Sequence, residues 1–106
     1  MTEAQIQREI VVFLRDKLGF AVWETSQGYR KDRGGTRTTA GIPDLYVLGH
    51  GRALWVEVKD TKGKLRPSQQ TFRDECLANG IAWALWRDVR DAWDWAVGEG
   101  IIREAA

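Results

Sequence analysis

Two short segments in the middle of the chain carry acidic and basic residues at a spacing that suits metal chemistry. Asp44 follows Pro43, and Glu57 lies two residues before Lys59. Alternate residues of a β-strand point to the same face, so Glu57 and Lys59 would share one face. Two carboxylates held together repel each other unless a cation lies between them, and a divalent metal that prefers oxygen ligands meets this requirement. The lysine would orient an attacking water or stabilise negative charge that develops on a phosphate.

A predicted β-hairpin brings these residues together. Residues 44–48 and 53–59 are typical of strands, and the glycine-containing segment 49–51 between them is typical of a short turn. Asp44 begins the first strand and Glu57 lies near the end of the second, so we expect the two carboxylates to be neighbours across the ladder. The backbone carbonyl of Val58 is a further candidate metal ligand.

The first helix offers a third acidic residue. Helical spacing of apolar residues predicts a helix over residues 3–18, which begins after Thr2 and ends at Gly19. The apolar stripe consists of Ile6, Ile10, Phe13, Leu14 and Leu18. Glu3 lies on the side of this stripe and could reach into the site, with Glu9 as the second choice. The alternative for Glu3 is a first-turn acid that the helix dipole favours, and the sequence does not separate the two interpretations.

The remaining elements complete an α/β pattern. Predicted in chain order are a strand at 20–23, a long loop at 25–41, the hairpin, a basic loop at 60–66, a helix from Pro67 to near Asn79, a strand at 81–86 and a helix at 88–97 with Asp88 as its cap. The order α-β-loop-β-β-α-β-α predicts a mixed sheet with helices on both faces. A chain of 106 residues is expected to form one domain over residues 1–106.

The motifs resemble those of a known nuclease family. Pro43-Asp44 followed by Glu57-Val58-Lys59 resembles the PD-(D/E)xK nuclease superfamily. The surroundings are similar to the VRR-NUC domain, the virus-type replication-repair nuclease. They are the 3–14 segment with Ile6-Gln7, Gly41-Ile42-Pro43-Asp44-Leu45, Val56-Glu57-Val58-Lys59 and Lys64-Leu65-Arg66-Pro67-Ser68-Gln69-Gln70-Thr71-Phe72. The resemblance runs from about residue 3 to residue 97.

This resemblance implies a restriction-endonuclease-like α-β-β-β-α-β core and hydrolysis of DNA phosphodiesters with Mg²⁺ or Mn²⁺. The catalytic residues it implies are Glu3, Asp44, Glu57, Lys59 and Gln69. Asp44, Glu57 and Glu3 would hold the metal, Lys59 would be the catalytic lysine, and Phe72 would pack beneath the helix glutamine.

Compact stand-alone members of the family, often phage-borne, are associated with homodimers that cut branched DNA such as four-way (Holliday) junctions. The present chain resembles that stand-alone type rather than the larger DNA-repair nucleases. Two alternatives stay open. One is a restriction-type or nicking endonuclease. The other is a non-catalytic DNA-binding module that keeps the fold, although the intact acid-acid-lysine set argues against it.

Two basic loops are the candidate DNA contacts. The net charge of the whole chain is only +1, so any nucleic-acid surface must be local. The residues are Arg30, Lys31, Arg33 and Arg37 in one loop and Lys62, Lys64 and Arg66 in the other. Such clusters contact phosphates without reading sequence, although a solvated loop is the usual role of a charge run. Both loops flank the proposed metal site in sequence, which favours DNA contact.

The composition indicates an intracellular setting. The single cysteine, Cys76, cannot form an intramolecular disulfide or a cysteine-rich zinc site and is expected to be a reduced thiol. The sequence has no apolar run of the roughly 20 residues that a membrane helix needs, and no signal-peptide core. We therefore expect a cytoplasmic protein, in the host cytoplasm if phage-encoded, with no membrane partner.

Overall fold

The fold was analysed in a computed structural model, which describes residues 1–25 and 39–103. The helices and strands are α1 (Glu3–Val12), a π-helical segment (Phe13–Lys17), β1 (Ala21–Glu24), β2 (Leu45–Gly49), β3 (Arg52–Val58), α2 (Pro67–Ala78), β4 (Trp83–Trp86) and α3 (Val89–Gly98). The order of helices and strands is the one that the sequence predicted. The long loop predicted at 25–41 lies largely outside the described residues.

The four described strands form one mixed sheet in the order β1-β2-β3-β4. β1 pairs antiparallel with β2, and β2 pairs antiparallel with β3 through the predicted hairpin. β4 pairs parallel with β3, and α2 lies in the crossover between them. Two parallel strands need such a crossover connection. It leaves β3 after Val58, and α2 begins at Pro67, close to the end of β3 that carries Glu57.

The first helix differs from its prediction in its last turns. Thr2 caps it as predicted, since its side chain accepts a hydrogen bond from the backbone N–H of Gln5. The α-helix ends at Val12, and residues Phe13–Lys17 continue as a π-helix, whose wider turns are uncommon. The predicted stop at Gly19 is confirmed by its φ of 73°, which a glycine adopts without strain.

Helices cover both faces of the sheet, as predicted. On one face, side chains of α1 and α3 join one buried cluster with those of the strands, including Ile10, Ala92 and Val56, which are fully buried. On the other face the Phe72 ring of α2 packs edge-on against Trp55 of β3, with 5.3 Å between ring centroids. Within the described residues, no helix has the length and apolar character that a bilayer crossing would require.

Strand boundaries depart from prediction by one or two residues. β1 begins at Ala21 rather than at residue 20, and β4 begins at Trp83 rather than at residue 81. The later start of β4 has a local cause, because the N–H of Ile81 donates to the carbonyl of Cys76 in the last turn of α2. That bond closes the helix end before the chain extends into the strand.

Candidate active site

The hairpin register places Asp44 opposite Glu57. Leu45 pairs with Val56, so the next step of the antiparallel ladder brings Asp44 to Glu57. The Oδ2 atom of Asp44 accepts a hydrogen bond of 2.8 Å from the backbone N–H of Val58. The carboxylate of Asp44 is therefore held against the strand that carries Glu57, as the sequence predicted for the two acids.

Glu57 is a buried acid with an incomplete set of partners. Only 2% of the residue is exposed. Its Oε1 accepts a hydrogen bond of 2.8 Å from the side-chain amide of Gln69 and lies 3.7 Å from the Nζ of Lys59. Its Oε2 is buried and has no donor among residues 1–25 and 39–103 when both acids are ionised, whereas protonated Glu57 can share a hydrogen bond with Asp44. A buried carboxylate oxygen without a partner is energetically costly unless another group satisfies it.

The electrostatics of this position disfavour a lone anion. Burial is the largest cause that raises the pKa of Glu57 from its ordinary value of 4.5 to about 8, and the negative charge of Asp44 is the second. The ammonium of Lys59 acts in the opposite direction, and the charge of Glu3 adds a smaller increase. Ionised together, Asp44 and Glu57 would carry more negative charge than Lys59 offsets, so without a cation Glu57 keeps its proton up to about pH 8.

Lys59 is the buried basic residue of the site. It follows β3, and its backbone N–H donates to the carbonyl of Trp86, which extends the pairing with β4 by one residue. Only 7% of Lys59 is exposed, and its alkyl chain runs beside Gly63, where an added Cβ would lie 3.2 Å from its Cδ. The loop at Gly63 therefore packs against the alkyl chain, and the ammonium lies beside Glu57.

Glu3 lies close enough to influence the site. It begins α1, is half-buried, and its charge raises the pKa of Glu57. Glu9, the alternative acid, is exposed. Among the described residues no three His, Cys, Asp or Glu residues are grouped closely enough to hold a metal ion together. The geometry thus joins Asp44 to Glu57 directly, while the role of Glu3 as a ligand stays a prediction.

Gln69 connects the site to the start of α2. Its side-chain oxygen accepts a hydrogen bond of 2.8 Å from the backbone N–H of Arg66, and its amide nitrogen donates to Glu57. Because the oxygen is occupied by a donor, the nitrogen must face the carboxylate. Pro67 at the first helical position favours this helix start.

The segment before Asp44 packs closely on α2. Gly41 has a φ of 92°, and a Cβ at this position would overlap the backbone carbonyl of Ser68. Only glycine permits both this conformation and this approach. The contact fixes the distance between α2, which carries Gln69, and the strand that Asp44 precedes.

The basic loop after Lys59 has a defined structure. The carboxylate of Asp60 accepts from the backbone N–H groups of Lys62 and Gly63. From the side of β4, the guanidinium of Arg87 donates to the carbonyls of Asp60 and Gly63, at 2.6 and 2.8 Å. The exposed basic residues of the loop are Lys62, Lys64 and Arg66. They lie between Lys59 and Gln69 in the chain, and Gly63 of the same loop packs against the side chain of Lys59.

The predicted cluster of Arg30, Lys31, Arg33 and Arg37 lies outside the described residues.

Two features of the site were not predicted from the sequence. For Val58 the sequence suggested only a carbonyl ligand, whereas the structure shows its N–H holding Asp44. Arg87 was not identified from the sequence, because its role depends on the parallel pairing of β3 with β4. A basic residue directly after the last strand was the available hint.

The residues at the site suit a divalent cation. Asp44 and Glu57 offer oxygen ligands side by side, and within the described structure the ionised Oε2 of Glu57 accepts no hydrogen bond, which leaves it open to a cation. Hard cations such as Mg²⁺ and Mn²⁺ prefer carboxylate oxygens and water. A cation bound here would also offset the repulsion that raises the pKa of Glu57.

The fold and these residues define an α/β protein with a mixed sheet flanked by helices and an acid-acid-lysine set on its central hairpin. The chain is similar to a solved structure described as "VRR_NUC domain", with a TM-score of 0.66 and 23% sequence identity over 92% of this chain and 97% of that chain. This likeness confirms the predicted resemblance at the level of the fold. No protein-family profile matches the chain, and no curated protein matches it significantly.

Proposed function

We propose that this protein is a metal-dependent nuclease of the PD-(D/E)xK type and a member of the VRR-NUC family. The observation that carries the proposal is the buried Glu57, which faces Asp44 across the hairpin and lies 3.7 Å from the ammonium of Lys59. Ion pairs with a purely structural role also shift the pKa of an acid. A structural pair, however, does not require two adjacent carboxylates with one lysine and an Oε2 that has no donor when both acids are ionised.

Each residue has a distinct task in this proposal. Asp44 and Glu57 hold the metal, with Glu3 and the carbonyl of Val58 as further ligands. A bound Mg²⁺ or Mn²⁺ supplies an activated water and offsets charge on the phosphate. Lys59 orients the attacking water or donates to a phosphate oxygen as charge builds there. Gln69 acts through Glu57, because its amide fixes the orientation of that carboxylate.

The proposed substrate is DNA, with branched structures such as four-way junctions as the favoured class. Exposed Lys62, Lys64 and Arg66 on the edge of the site would contact phosphates without reading bases. Symmetric cutting of a junction needs two active sites, so we propose that the chain acts as a homodimer. The cluster that includes Arg33 and Arg37 would extend the contact, and Arg33→Ala with Arg37→Ala would then weaken binding.

The decisive experiment is a cleavage panel. Linear duplex, nicked, flap and four-way-junction DNA would be incubated with Mg²⁺ or Mn²⁺ and with wild type, Asp44→Asn or Lys59→Ala. We expect cleavage by wild type, strongest on the junction, and loss of cleavage in both variants. Asp16→Asn and Lys17→Ala, exposed near the opposite end of the first helical segment, are the matched controls and should retain activity.

Other outcomes would redirect the proposal. Sequence-dependent cutting of linear duplex would favour a restriction-type enzyme, and single-strand cuts would favour a nicking enzyme. DNA binding without cleavage under any metal would indicate a non-catalytic module. Full activity in a correctly folded Asp44→Asn protein would disprove the metal mechanism.

A further inference from the structure

The sheet face that carries the site also carries a row of aromatic residues. Trp23 of β1 pairs with Tyr46 of β2, Tyr46 pairs with Trp55 of β3, and Trp55 pairs with Trp83 of β4. Residues paired across strands share a face, and Trp55 shares its face with Glu57 two residues along. One aromatic residue from each strand therefore lies in the row next to the Asp44–Glu57 pair.

Most of this row is covered, and one end is open. Trp55 packs against Tyr46, with ring centroids 4.3 Å apart, and against Phe72 of α2. The guanidinium of Arg73, also on α2, lies 6.0 Å from the ring centre of Trp83. Trp23, at the edge of the sheet, is 64% exposed. The helix thus covers the β3 and β4 end of the row and leaves the β1 end accessible.

The position of Trp23 relative to the site is fixed by the sheet. Trp23 pairs with Tyr46 on the neighbouring strand, and Asp44 lies two residues before Tyr46. Ordinary strand and residue spacings then place the Cα atoms of Trp23 and Asp44 about 8 Å apart. A nucleotide adjacent to one whose phosphate lies at Asp44 and Glu57 would come within reach of the indole. Because Trp23 is in a strand rather than a loop, its backbone is already in place before DNA binds.

We propose that Trp23 is a stacking platform for an unpaired DNA base next to the scissile phosphate. The inference rests on the proposed nuclease function and specifies its substrate class. Aromatic side chains bind single-stranded DNA by stacking on base faces, with little sequence preference. In intact duplex both faces of an internal base are already stacked, so only an unpaired, terminal or extruded base can use the platform. Among branched substrates, the protein would therefore favour those in which a base at the branch point is unpaired or can be extruded.

A second copy of the chain is the competing occupant of this surface. An edge strand with an exposed aromatic residue can also pair with another chain. The DNA base is favoured because the indole lies in the row beside the carboxylates, whereas a partner chain there would cover the approach to them. Sedimentation of wild type and Trp23→Ala without DNA separates the two, and conversion of a dimer to a monomer by Trp23→Ala would overturn the proposal.

The main test is an abasic scan in a Lys59→Ala background with Mg²⁺. Binding would be measured for a short single strand, for copies with one abasic site at each successive position, and for a relaxed closed circular duplex, which has no terminal base. We expect Trp23→Ala to weaken single-strand binding roughly 5- to 100-fold and to leave duplex binding unchanged. One abasic position should weaken binding to the protein with Trp23 intact, and that position should have no effect after Trp23→Ala.

Matched variants define the result. Trp23→Phe should retain part of the affinity, and Leu77→Ala, which truncates another exposed apolar side chain at 60% exposure, should retain all of it. Asp44→Asn replaces Lys59→Ala as the background if the latter fails to fold. Equal loss on single strand and duplex, or a flat abasic scan, would overturn the platform even if wild type cleaves DNA. A Trp23-dependent scan in a protein that cleaves no DNA would instead overturn the nuclease function.

Discussion

Gln69 donates a hydrogen bond of 2.8 Å to Glu57 while its own oxygen is held by the backbone N–H of Arg66. One side chain thus completes the start of a helix and orients a candidate metal ligand. The two bonds differ in direction, since Gln69 accepts at Arg66 and donates at Glu57. A substitution that keeps one and removes the other can separate the structural role from the positioning role.

Gln69→Ala should reduce both metal affinity and stability, and Gln69→Glu should separate the two effects. Alanine loses both bonds, whereas a glutamate keeps an acceptor for Arg66 but places a third carboxylate against Glu57. We expect Gln69→Ala to need more metal for half-maximal cleavage, within the roughly 10- to 100-fold range of lost ligand-orienting contacts, and to lose about 1 kcal/mol of unfolding free energy from the helix start. Metal-free Gln69→Glu should unfold more easily because the added charge repels Asp44 and Glu57, and saturating Mg²⁺ should restore its stability. Gln70→Ala, at the neighbouring exposed position, is the control.

The raised pKa of Glu57 predicts how metal-free protein responds to pH. The folded protein keeps the proton of Glu57 up to about pH 8, whereas the unfolded chain releases it near 4.5. Below pH 4.5 this contribution to stability is fully present, and it is lost as pH rises through about 8. With EDTA present, the unfolding free energy of wild type should therefore fall relative to that of Glu57→Gln as pH rises from 4.5 to about 8.

The measurement is urea unfolding at several pH values between 4.5 and 8. The difference in slope between wild type and Glu57→Gln should not exceed about 1.4 kcal/mol per pH unit, the limit for one proton. Glu75→Gln, on the exposed side of α2, should keep the wild-type slope. A wild-type curve parallel to that of Glu57→Gln would show that Glu57 titrates normally. Added Mg²⁺ should reduce the difference, because a bound cation stabilises the ionised carboxylate.

Gly41→Ala should disturb both folding and activity. A Cβ at Gly41 would overlap the carbonyl of Ser68, and the φ of 92° is unfavourable for alanine. Gly51→Ala is the matched control, because Gly51 also has a positive φ, of 73°, but its Cβ would meet no described atom within 4 Å. The control should lose roughly 1–2 kcal/mol of stability for the backbone conformation alone. Equal losses in denaturant unfolding would contradict the close approach, and only Gly41→Ala should lower cleavage in the folded fraction.

The hairpin and the first helix show how much of the site was predictable from sequence. Asp44 and Glu57 could be paired in advance because a short turn fixes the register of two neighbouring strands. The position of Gln69 could be expected only from the family resemblance, since its contact with Glu57 spans a loop and a crossover. The row from Trp23 to Trp83 depends on which strands become neighbours. Strand alternation assigns a residue to a face, but it does not give strand order.

Arg87→Met should loosen the loop that follows Lys59. Its guanidinium holds the carbonyls of Asp60 and Gly63, so its loss leaves two acceptors without their donor. We expect a loss of about 2–4 kcal/mol in unfolding free energy and faster proteolysis within residues 60–66. Arg90→Met is the control, because Arg90 makes only an exposed ion pair with Asp94 within the described structure, and such pairs contribute little. Equal proteolysis of the two variants would show that Arg87 does not hold the loop.

The basic loop can be tested through the salt dependence of DNA binding. Each phosphate contact releases condensed counterions, so the slope of log affinity against log salt reports the number of contacts. Lys62→Ala with Lys64→Ala should reduce the magnitude of this slope by about 2 if each lysine contacts one phosphate. Lys17→Ala with Arg90→Ala removes the same charge from exposed positions outside the loop and should leave the slope near that of wild type. Because both double variants lose the same charge, a difference between their slopes shows that the position of the charge matters. Equal slopes for the two double variants would mean that DNA senses only the net charge of the protein, and that the loop beside Lys59 is solvated rather than bound.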